Sequence, residues 1–514
     1  MGGKYSWRFI IMVLETLNPK IVWEIFEQVF VATPRESKKE EKIRAKIKSW
    51  MKEKADALNL NIEIIEDDVG NLLLKKAATK GMQDVPPLLL QGHMDMVCET
   101  DRKEGFDFDH NAIPVRIQDN GEWVDADGTT LGADDGIGAA LALALLLDPE
   151  VSHGPLEVLI TVDEETGLVG AVSLRPKEIG IKSKLLINID SEMLGIITIG
   201  SAGGGDTKLS RKLNRETATG DLVFYELAIT GLKGGHSGVD IHKHRANANV
   251  LIARMLTKLC LHMKVFFSSW NGGSKHNAIT RESVVQFAVP ATEHDAVEKR
   301  LQEASQEILA YYKNEARGSE ALEPNMSVQW TKASQFSVCS SDDSYDIITT
   351  VNFLHQGPLA FSPHVKDLVE TSNNVAVVKT QDDAFSVMIS TRSSVDAELE
   401  SFRDKVESIA RRLGWDIERE EAYPGWNPDP SSPFLKFVLA KYEEVTKTEI
   451  EVLAIHAGLE CGIIGAKIPT IQMLSIGPTA QNAHTPDERL RIDDVQVLYD
   501  LLKSVVSGLN TENL

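Results

Sequence analysis

The sequence predicts an α/β fold in which helices cover both faces of a sheet. Three short apolar segments, 88–90, 156–162 and 185–189, have the composition of buried strands, and the Ala/Leu-rich segment 137–147 between them is typical of a helix. The length of 514 residues also exceeds what one hydrophobic core usually supports, so we expect two or more domains.

Before this predicted core, apolar residues recur at helical spacing from Ile43 to Leu58, which indicates an amphipathic helix. Two short strands are expected at 61–66 and 71–75, with a turn at Gly70 between them. After the core, a run of small residues at 201–205 is interpreted as a hinge.

A second α/β unit is predicted beyond the hinge. Its expected strands are 222–230, 284–289, 375–380 and 385–390, and its expected helices are 246–262, 293–312 and 397–413. The region 318–371 is less regular and is interpreted as an insertion. After Pro424 and Gly425 the α/β pattern resumes, with a helix, a strand ending at His456 and a strand at 470–476.

The charge and cysteine content narrow the class of protein. The formal net charge is -22, and so acidic a surface repels nucleic acid and anionic lipid, so we expect neither as a partner. The four cysteines are far apart, which argues against a disulfide framework or a structural zinc knuckle. A reducing cytoplasm therefore fits the sequence best.

Polar side chains follow the apolar strands of the predicted core. His93 and Asp95 follow the first strand, Glu164 and Glu165 the second, and Asp190 the third. Because ligand sites in such sheets form at the carboxyl ends of strands, we expect these residues to converge on one edge. Taken singly, each has a simpler explanation as a hydrogen-bonded histidine or a solvated carboxylate.

Asp134 lies between glycines at the start of the predicted helix 137–147, where alone it would be interpreted as a helix cap. His484 lies in a loop before Pro486. Together with the strand-end residues, these oxygen and imidazole donors, without any thiolate, favour a catalytic site for zinc or a similar first-row ion. Asp134 is the candidate bridge between two metals, and Glu164 is the candidate general base that activates water.

Three further residues have the chemistry of substrate recognition. His236 lies in a glycine-rich loop, Asn277 follows a Gly-Gly turn, and Arg392 ends a predicted strand. They suit an oxyanion donor, a positioning amide and a carboxylate clamp, although each is also explained as a turn or surface residue. His456 and Glu460 receive no role.

Long motifs between residues 88 and 488 resemble the aminoacyl-histidine (Xaa-His) dipeptidases, a carnosinase-like branch of the co-catalytic zinc exopeptidases. The matching stretches are LLLQGHMDMVCE, GTTLGADDGIG, GPLEVLITVDEETG, INIDSE, LKGGHSGVDIH, NGGSKHNAI, AYPGWNPD, HAGLECG and SIGPTAQNAHTPDE.

The resemblance implies a zinc-exopeptidase catalytic domain with a mixed sheet flanked by helices, at 1–203 and 425–514, interrupted by an α+β lid domain at 204–424. It implies two zinc ions, replaceable by cobalt or manganese in vitro, and a homodimer. It also implies a cis peptide bond beside the bridging aspartate. The zinc ligands would be His93, Asp134 and Asp190 for one ion and Asp134, Glu165 and His484 for the other.

In the same resemblance Asp95 orients the site and Glu164 shuttles protons, while His236, Asn277 and Arg392 bind the substrate. The expected activity is hydrolysis of Xaa-His and related dipeptides. A broader dipeptidase or tripeptidase and an N-acyl amino acid deacylase remain open, because the metal motifs do not distinguish them. A non-catalytic metal-binding or peptide-binding protein is the remaining alternative.

Overall fold

The computed structural model describes residues 12–217, 220–314 and 320–511. The chain divides into two compact units. Unit 1 comprises Met1–Gly200, Pro428–Ala454 and Leu459–Leu514, and unit 2 comprises Ser201–Asn427 and Ile455–Gly458. Within the described ranges, none of the helices combines the length and the apolar character needed to cross a bilayer.

Unit 1 is built on an eight-stranded mixed sheet. Its strands β1 (Leu88–His93), β2 (Leu156–Thr161) and β3 (Leu185–Asn188) run parallel to one another. Every residue of these three strands is buried, so both faces of the sheet are covered here, as is typical of parallel strands rich in Leu, Ile and Val. The order across the sheet is Ile62–Glu66, Leu72–Lys76, β2, β1, β3, Gln472–Ser475, Ile196–Ser201 and Glu451–Ile455.

Helix α1 (Ala133–Leu147) lies in the core of unit 1, and all its residues except Asp134 are buried. A helix that is apolar on every side is stable only when it is surrounded by other elements. It follows a left-handed turn at Gly132 (φ 71°), and the peptide bond between Asp134 and Asp135 is cis. The other described helices of unit 1 are Lys20–Ile25, the π-helix Phe26–Val31, Glu41–Ala57, Val169–Ser173, Pro176–Ile179, Pro433–Thr446, Glu460–Lys467 and Ile492–Gly508.

A second, four-stranded sheet in unit 1 brings distant parts of the chain side by side. It consists of Ala480–Gln481, Arg489–Arg491, Trp123–Ala126 and Val115–Ile117, in that order. Its first two strands flank the loop that carries His484, so this sheet fixes both ends of that loop.

Unit 2 contains a nine-stranded sheet whose neighbouring strands are antiparallel. Its path is Ser327–Lys332, Leu222–Thr230, Ser283–Pro290, Phe266–Gly272, Val369–Gln381, Ala384–Ser393, Gly203–Lys212 and Asp416–Arg419, with Gly357–Phe361 paired to Val369–Gln381. Two short pairs are Glu216–Thr217 with Ser337–Val338 and Gly235–His236 with Ala278–Ile279. The described helices are Ala248–Cys260, the 3-10 turn Ala291–Glu293, His294–Tyr312, Ser341–Phe353 and Asp396–Arg412.

The expectation that 318–371 is less regular is wrong for its described part. Residues 318 and 319 lie outside the described residues, but the rest contains the strands Ser327–Lys332, Ser337–Val338 and Gly357–Phe361, the helix Ser341–Phe353 and the start of the strand Val369–Gln381. The helix Ser341–Phe353 packs its buried Ile347, Ile348 and Val351 into the core of unit 2. This region is therefore part of the framework of unit 2.

Candidate metal centre

The carboxyl ends of β1, β2 and β3 bring the predicted metal ligands of unit 1 to one edge of its sheet. β1 ends at His93 itself, Glu165 follows the end of β2, and Asp190 follows the end of β3. Asp134 enters from the start of α1, and His484 from the loop fixed by the four-stranded sheet.

Two groups of three donors share Asp134. One consists of His93, Asp134 and Asp190, the other of Asp134, Glu165 and His484, and the donor atoms of each group lie within 4.8 Å of one another. The Oδ1 atom of Asp134 lies 3.0 Å from Nε2 of His93, and its Oδ2 atom lies 3.0 Å from Nε2 of His484. The structure therefore brings all five predicted ligands together, with one carboxylate facing both imidazoles.

The spacing and chemistry of these donors fit two divalent ions. Around a tetrahedral zinc with bonds of about 2.0–2.2 Å, ligand atoms lie roughly 3.3–3.6 Å apart. The distance from His93 Nε2 to Asp190 Oδ1 is 3.6 Å, which lies in this range, whereas that from His484 Nε2 to Glu165 Oε2 is 2.9 Å, a hydrogen-bond distance that would lengthen around an ion. Among the described residues the buried Oε1 atom of Glu165 has no hydrogen-bond partner, a costly state for a carboxylate unless a cation satisfies it.

Burial and the close contacts between these groups shift their pKa values. Burial raises the pKa of Asp190 to about 7 and holds the pKa of Glu164 well above its usual range. The contacts with Asp134 and Glu165 raise the pKa of His484 to about 11. Metal ions bound here would displace these protons, which couples metal affinity to pH.

Asp95 lies under the centre and joins two of the strand ends. Its Oδ1 atom accepts the backbone N–H of Glu164 at 3.0 Å and lies 3.3 Å from Nδ1 of His93. Its Oδ2 atom accepts the backbone N–H of Glu165 at 3.3 Å and the hydroxyl of Ser37 at 2.8 Å. A fully buried carboxylate in this position can fix the orientation of the His93 ring and of the turn after β2.

Asp135 stands apart from the two donor groups, although it is adjacent to Asp134. Its Oδ2 atom accepts the backbone N–H of His93 at 3.1 Å. A Cβ atom at Gly92 would come within 2.0 Å of this carboxylate, and one at Gly138 within 2.1 Å. The two glycines therefore leave the space that the carboxylate occupies, which no pattern in the sequence had indicated.

Glu460, which received no role from the sequence, is fully buried in unit 1. It accepts hydrogen bonds from Thr161 Oγ1 at 2.7 Å and from Gln91 Nε2 at 2.5 Å. Burial raises its pKa to about 8.

Within unit 2, the structure gathers His236, Asn277 and Arg392 around Ser237. The backbone N–H of Ser237 donates to the carbonyl of Asn277 at 2.8 Å, and Nε of Arg392 donates to the Ser237 hydroxyl at 3.4 Å. Arg392 is 6% exposed, and its Nη1 atom donates to the Tyr423 hydroxyl at 2.9 Å. The guanidinium is thus held from two sides.

The hydrogen bonds of His236 define its tautomer. Its Nδ1 atom accepts the backbone N–H groups of Gly238 at 3.1 Å and Val239 at 3.2 Å, which leaves the proton on Nε2. Burial, helped by the charge of Arg392, lowers the pKa of His236 to about 4. At neutral pH the ring is therefore an uncharged donor through Nε2.

His456, the other residue without a predicted role, also lies in unit 2. Its Nε2 atom is 2.7 Å from the hydroxyl of Ser372, and it is 6% exposed. Burial lowers its pKa to about 3.

Comparison with known proteins places the chain among peptidases. The model of peptidase family M20/M25/M40 matches residues 89–508. The cytosol non-specific dipeptidase of Escherichia coli (strain K12) is 38% identical over 496 residues, covering 96% of this chain and 99% of that protein.

Solved structures agree with this placement. The aminoacylhistidine dipeptidase of Vibrio alginolyticus superposes with a TM-score of 0.87 at 34% identity, covering 96% of this chain and 98% of that one. The aminopeptidase PepT of Bacillus cereus, at 18% identity and a TM-score of 0.53, covers 96% of this chain and 98% of its own and shares the fold. The predicted fold class is confirmed, as is the prediction of a metallopeptidase that hydrolyses peptide bonds. The chain belongs to peptidase family M20/M25/M40.

Proposed function

We propose that this member of the family hydrolyses Xaa-His dipeptides, including carnosine, at a two-zinc centre with Glu164 as the general base. The observation that supports the proposal most directly is the carboxylate of Asp134, which faces His93 with one oxygen and His484 with the other. A carboxylate in this position suits a bridge between two ions, because each of its oxygens can bind one of them.

In this proposal His93, Asp134 and Asp190 hold one zinc, and Asp134, Glu165 and His484 hold the other. Cobalt or manganese would replace zinc in vitro, since the donors are imidazole and carboxylate groups without a thiolate. When bound, the two ions polarise the peptide carbonyl and make water easier to deprotonate.

Glu164 takes the proton of the attacking water and returns it to the leaving amine. Its carboxylate lies in a donor group with His93 and Glu165, within 4.8 Å of both. Its place beside both donor groups suits this task, because a general base must lie within reach of the water that it deprotonates. Asp95 holds the turn that carries Glu164 in place through the backbone hydrogen bond at 3.0 Å.

We assign substrate recognition to His236, Asn277 and Arg392, in the domain that we propose as a lid at 204–424. A neutral His236 that donates through Nε2 is suited to a developing oxyanion, because it needs no change of protonation. Arg392 is suited to the free carboxylate of a dipeptide, since two hydrogen bonds already orient its guanidinium. Asn277 would position the substrate with its side-chain amide.

The test of the chemistry is Glu164→Gln, which keeps the shape of the side chain and removes the base. We expect kcat to fall by roughly 10²- to 10⁴-fold while zinc binding persists. The control is Glu178→Gln, at a glutamate of unit 1 whose side chain is 68% exposed. Hydrolysis by the Glu164 variant at the wild-type rate would refute the assignment.

The test of specificity is a panel of Xaa-His dipeptides, other dipeptides, tripeptides and N-acyl amino acids. We expect the highest kcat/KM for the Xaa-His members, in line with the name of the Vibrio alginolyticus relative. Equal rates for all dipeptides would favour the broader dipeptidase, in line with the name of the Escherichia coli relative.

We further propose a cytoplasmic homodimer with small peptides as its substrates. The name of the Escherichia coli relative supports the compartment, and the resemblance noted in the sequence supports the dimer. Light scattering after gel filtration tests the dimer, with a species of twice the 56.7 kDa chain mass as the expected result and a species of the single-chain mass as the contrary one.

A further inference from the structure

Glu488 holds the loop that presents Asp134. Its side-chain carboxylate is buried, at 1% exposure, and accepts hydrogen bonds from four consecutive backbone N–H groups. These are Leu131 at 2.8 Å and Gly132 at 2.9 Å on Oε2, and Ala133 at 2.7 Å and Asp134 at 3.3 Å on Oε1. The last of them is the amide of the shared carboxylate residue itself.

Glu488 itself belongs to the loop that presents His484. Within this loop the backbone N–H of Glu488 donates to the carbonyl of Thr485 at 3.0 Å, and the Thr485 hydroxyl donates to the carbonyl of Asn482 at 2.8 Å. These contacts join His484 to Glu488 through a short, internally bonded segment. Glu488 therefore connects the loop of one donor to the loop of another, more than 350 residues away in sequence.

Arg35 holds the same loop from its carbonyl side. Its guanidinium donates to the carbonyl of Gly132, and also to those of Met94 at 3.2 Å and Asp95 at 2.7 Å, just beyond the end of β1. The carboxylate of Glu488 accepts hydrogen bonds from the N–H groups of the loop, and the guanidinium of Arg35 donates to one of its carbonyls. The loop is therefore held by two side chains of opposite charge.

An ordinary helix cap does not account for this arrangement. A capping side chain usually comes from the residue next to the helix and accepts from one or two backbone N–H groups. Glu488 comes from a distant loop and accepts from four, and the turn that it holds places Asp134 outside the regular helix. The hydrogen bonds are charge-assisted, which makes them stronger and more directional than neutral ones.

We propose that Glu488 is a positioning residue that sets the distance between Asp134 and His484, so that the two metals bind as a pair. The proposal rests on the metal centre described under the proposed function. Without the carboxylate, Asp134 and His484 would no longer be fixed to each other, and the ion between them would bind more weakly.

The test compares Glu488→Gln with Glu488→Asp. The Gln side chain keeps the length but presents an amide N–H₂ to two of the four N–H donors, whereas the Asp side chain keeps the charge and is one methylene shorter. The control is Glu157→Gln, at a buried glutamate near the start of β2. Its carboxylate likewise accepts backbone N–H groups, from Lys182 at 3.1 Å and Ser183 at 3.0 Å.

Three quantities are measured for each chain: zinc affinity by competition with a chromogenic chelator, the absorption spectrum of the cobalt-loaded protein, and the midpoint of thermal unfolding without metal. We expect Glu488→Gln to weaken the binding of zinc by roughly 10- to 100-fold and to alter the cobalt spectrum, with a smaller loss for Glu488→Asp. Glu157→Gln should lower the unfolding midpoint and leave zinc affinity and the cobalt spectrum as in the wild type.

Wild-type zinc affinity and an unchanged cobalt spectrum in Glu488→Gln would overturn the proposal, and so would an equal loss of zinc affinity in Glu157→Gln. Failure of both Glu488 variants to fold would overturn it as well, because the residue would then serve the fold itself. Failure of the proposed function is read from the wild-type chain alone, as binding of fewer than two zinc ions, and would remove the basis of this proposal with it.

Discussion

Replacing His484 by Ala separates the two proposed metal sites, because this residue belongs to only one of them. Its side chain is 50% exposed, whereas that of His93 in the other group is 1% exposed. Truncating a half-exposed side chain leaves no buried cavity. The contacts with Asp134 at 3.0 Å and Glu165 at 2.9 Å are lost, and because these carboxylates are only 14% and 5% exposed, the metal-free variant should lose some stability. The metal-free variant is therefore the reference against which its stabilisation by zinc is measured.

The effect of the substitution appears when metal is added. An ion present at a hundred times its dissociation constant stabilises the folded state by about 2.7 kcal/mol per site. Two filled sites then contribute about 5.4 kcal/mol in the wild type, and the variant should keep about half of this, since His93, Asp134 and Asp190 are untouched. The assay is urea unfolding with and without zinc, together with the zinc content of the purified chain.

His110 offers a matched control, because it is an exposed histidine paired with a carboxylate elsewhere in the chain. Its side chain is 74% exposed, and its Nδ1 atom lies 3.0 Å from Asp107. His110→Ala should bind two zinc ions and keep the full stabilisation. Two zinc ions bound to His484→Ala with wild-type affinity would refute the assignment of His484.

Three further predictions follow from other groups. Asp134→Asn should weaken the binding of both metal ions, because the residue belongs to both donor groups. Loss of only one ion in metal analysis would contradict a bridging role for this carboxylate. Arg392→Lys should raise KM for dipeptides by roughly 10- to 100-fold with a smaller change in kcat, since charged hydrogen bonds contribute about 1.5–3 kcal/mol; an unchanged KM would contradict its role. The pKa of His456 is about 3 in the folded chain and about 6.5 in the unfolded chain. Between these two values the unfolded chain binds more protons than the folded chain, so unit 2 loses stability as the pH falls. His456→Gln should therefore lose about 2 kcal/mol less than the wild type between pH 7 and pH 5 in urea unfolding, and equal losses would contradict the low pKa.

The convergence of the strand-end residues was predictable because it depends on the sheet alone. Residues at or just beyond the carboxyl ends of β1, β2 and β3 must meet at one edge once the strands are parallel, and His93, Glu165 and Asp190 do so. The placement of His484 does not follow from the order of these strands, since the loop that carries it is placed by pairing with strands far away in the sequence.

The helix Ser341–Phe353 and the roles of Glu488 and Arg35 were not predicted from the sequence, for different reasons. The helix Ser341–Phe353 carried a recognisable start, in which Ser340 accepts the backbone N–H of Asp343 at 3.1 Å, but the half-exposed strands on either side of it lack strong apolar runs. Glu488 and Arg35 carried no local signal, because their partners are backbone groups of a distant loop, and hydrogen bonds to backbone leave no pattern in the partner's side chains.

The most direct test of the dinuclear hydrolytic centre is the zinc content of the purified wild-type chain, measured alongside its dipeptidase activity before and after chelation. We predict two zinc ions per chain, loss of activity when both are removed, and recovery when zinc, cobalt or manganese is restored. Full dipeptidase activity in the metal-free chain would contradict the account.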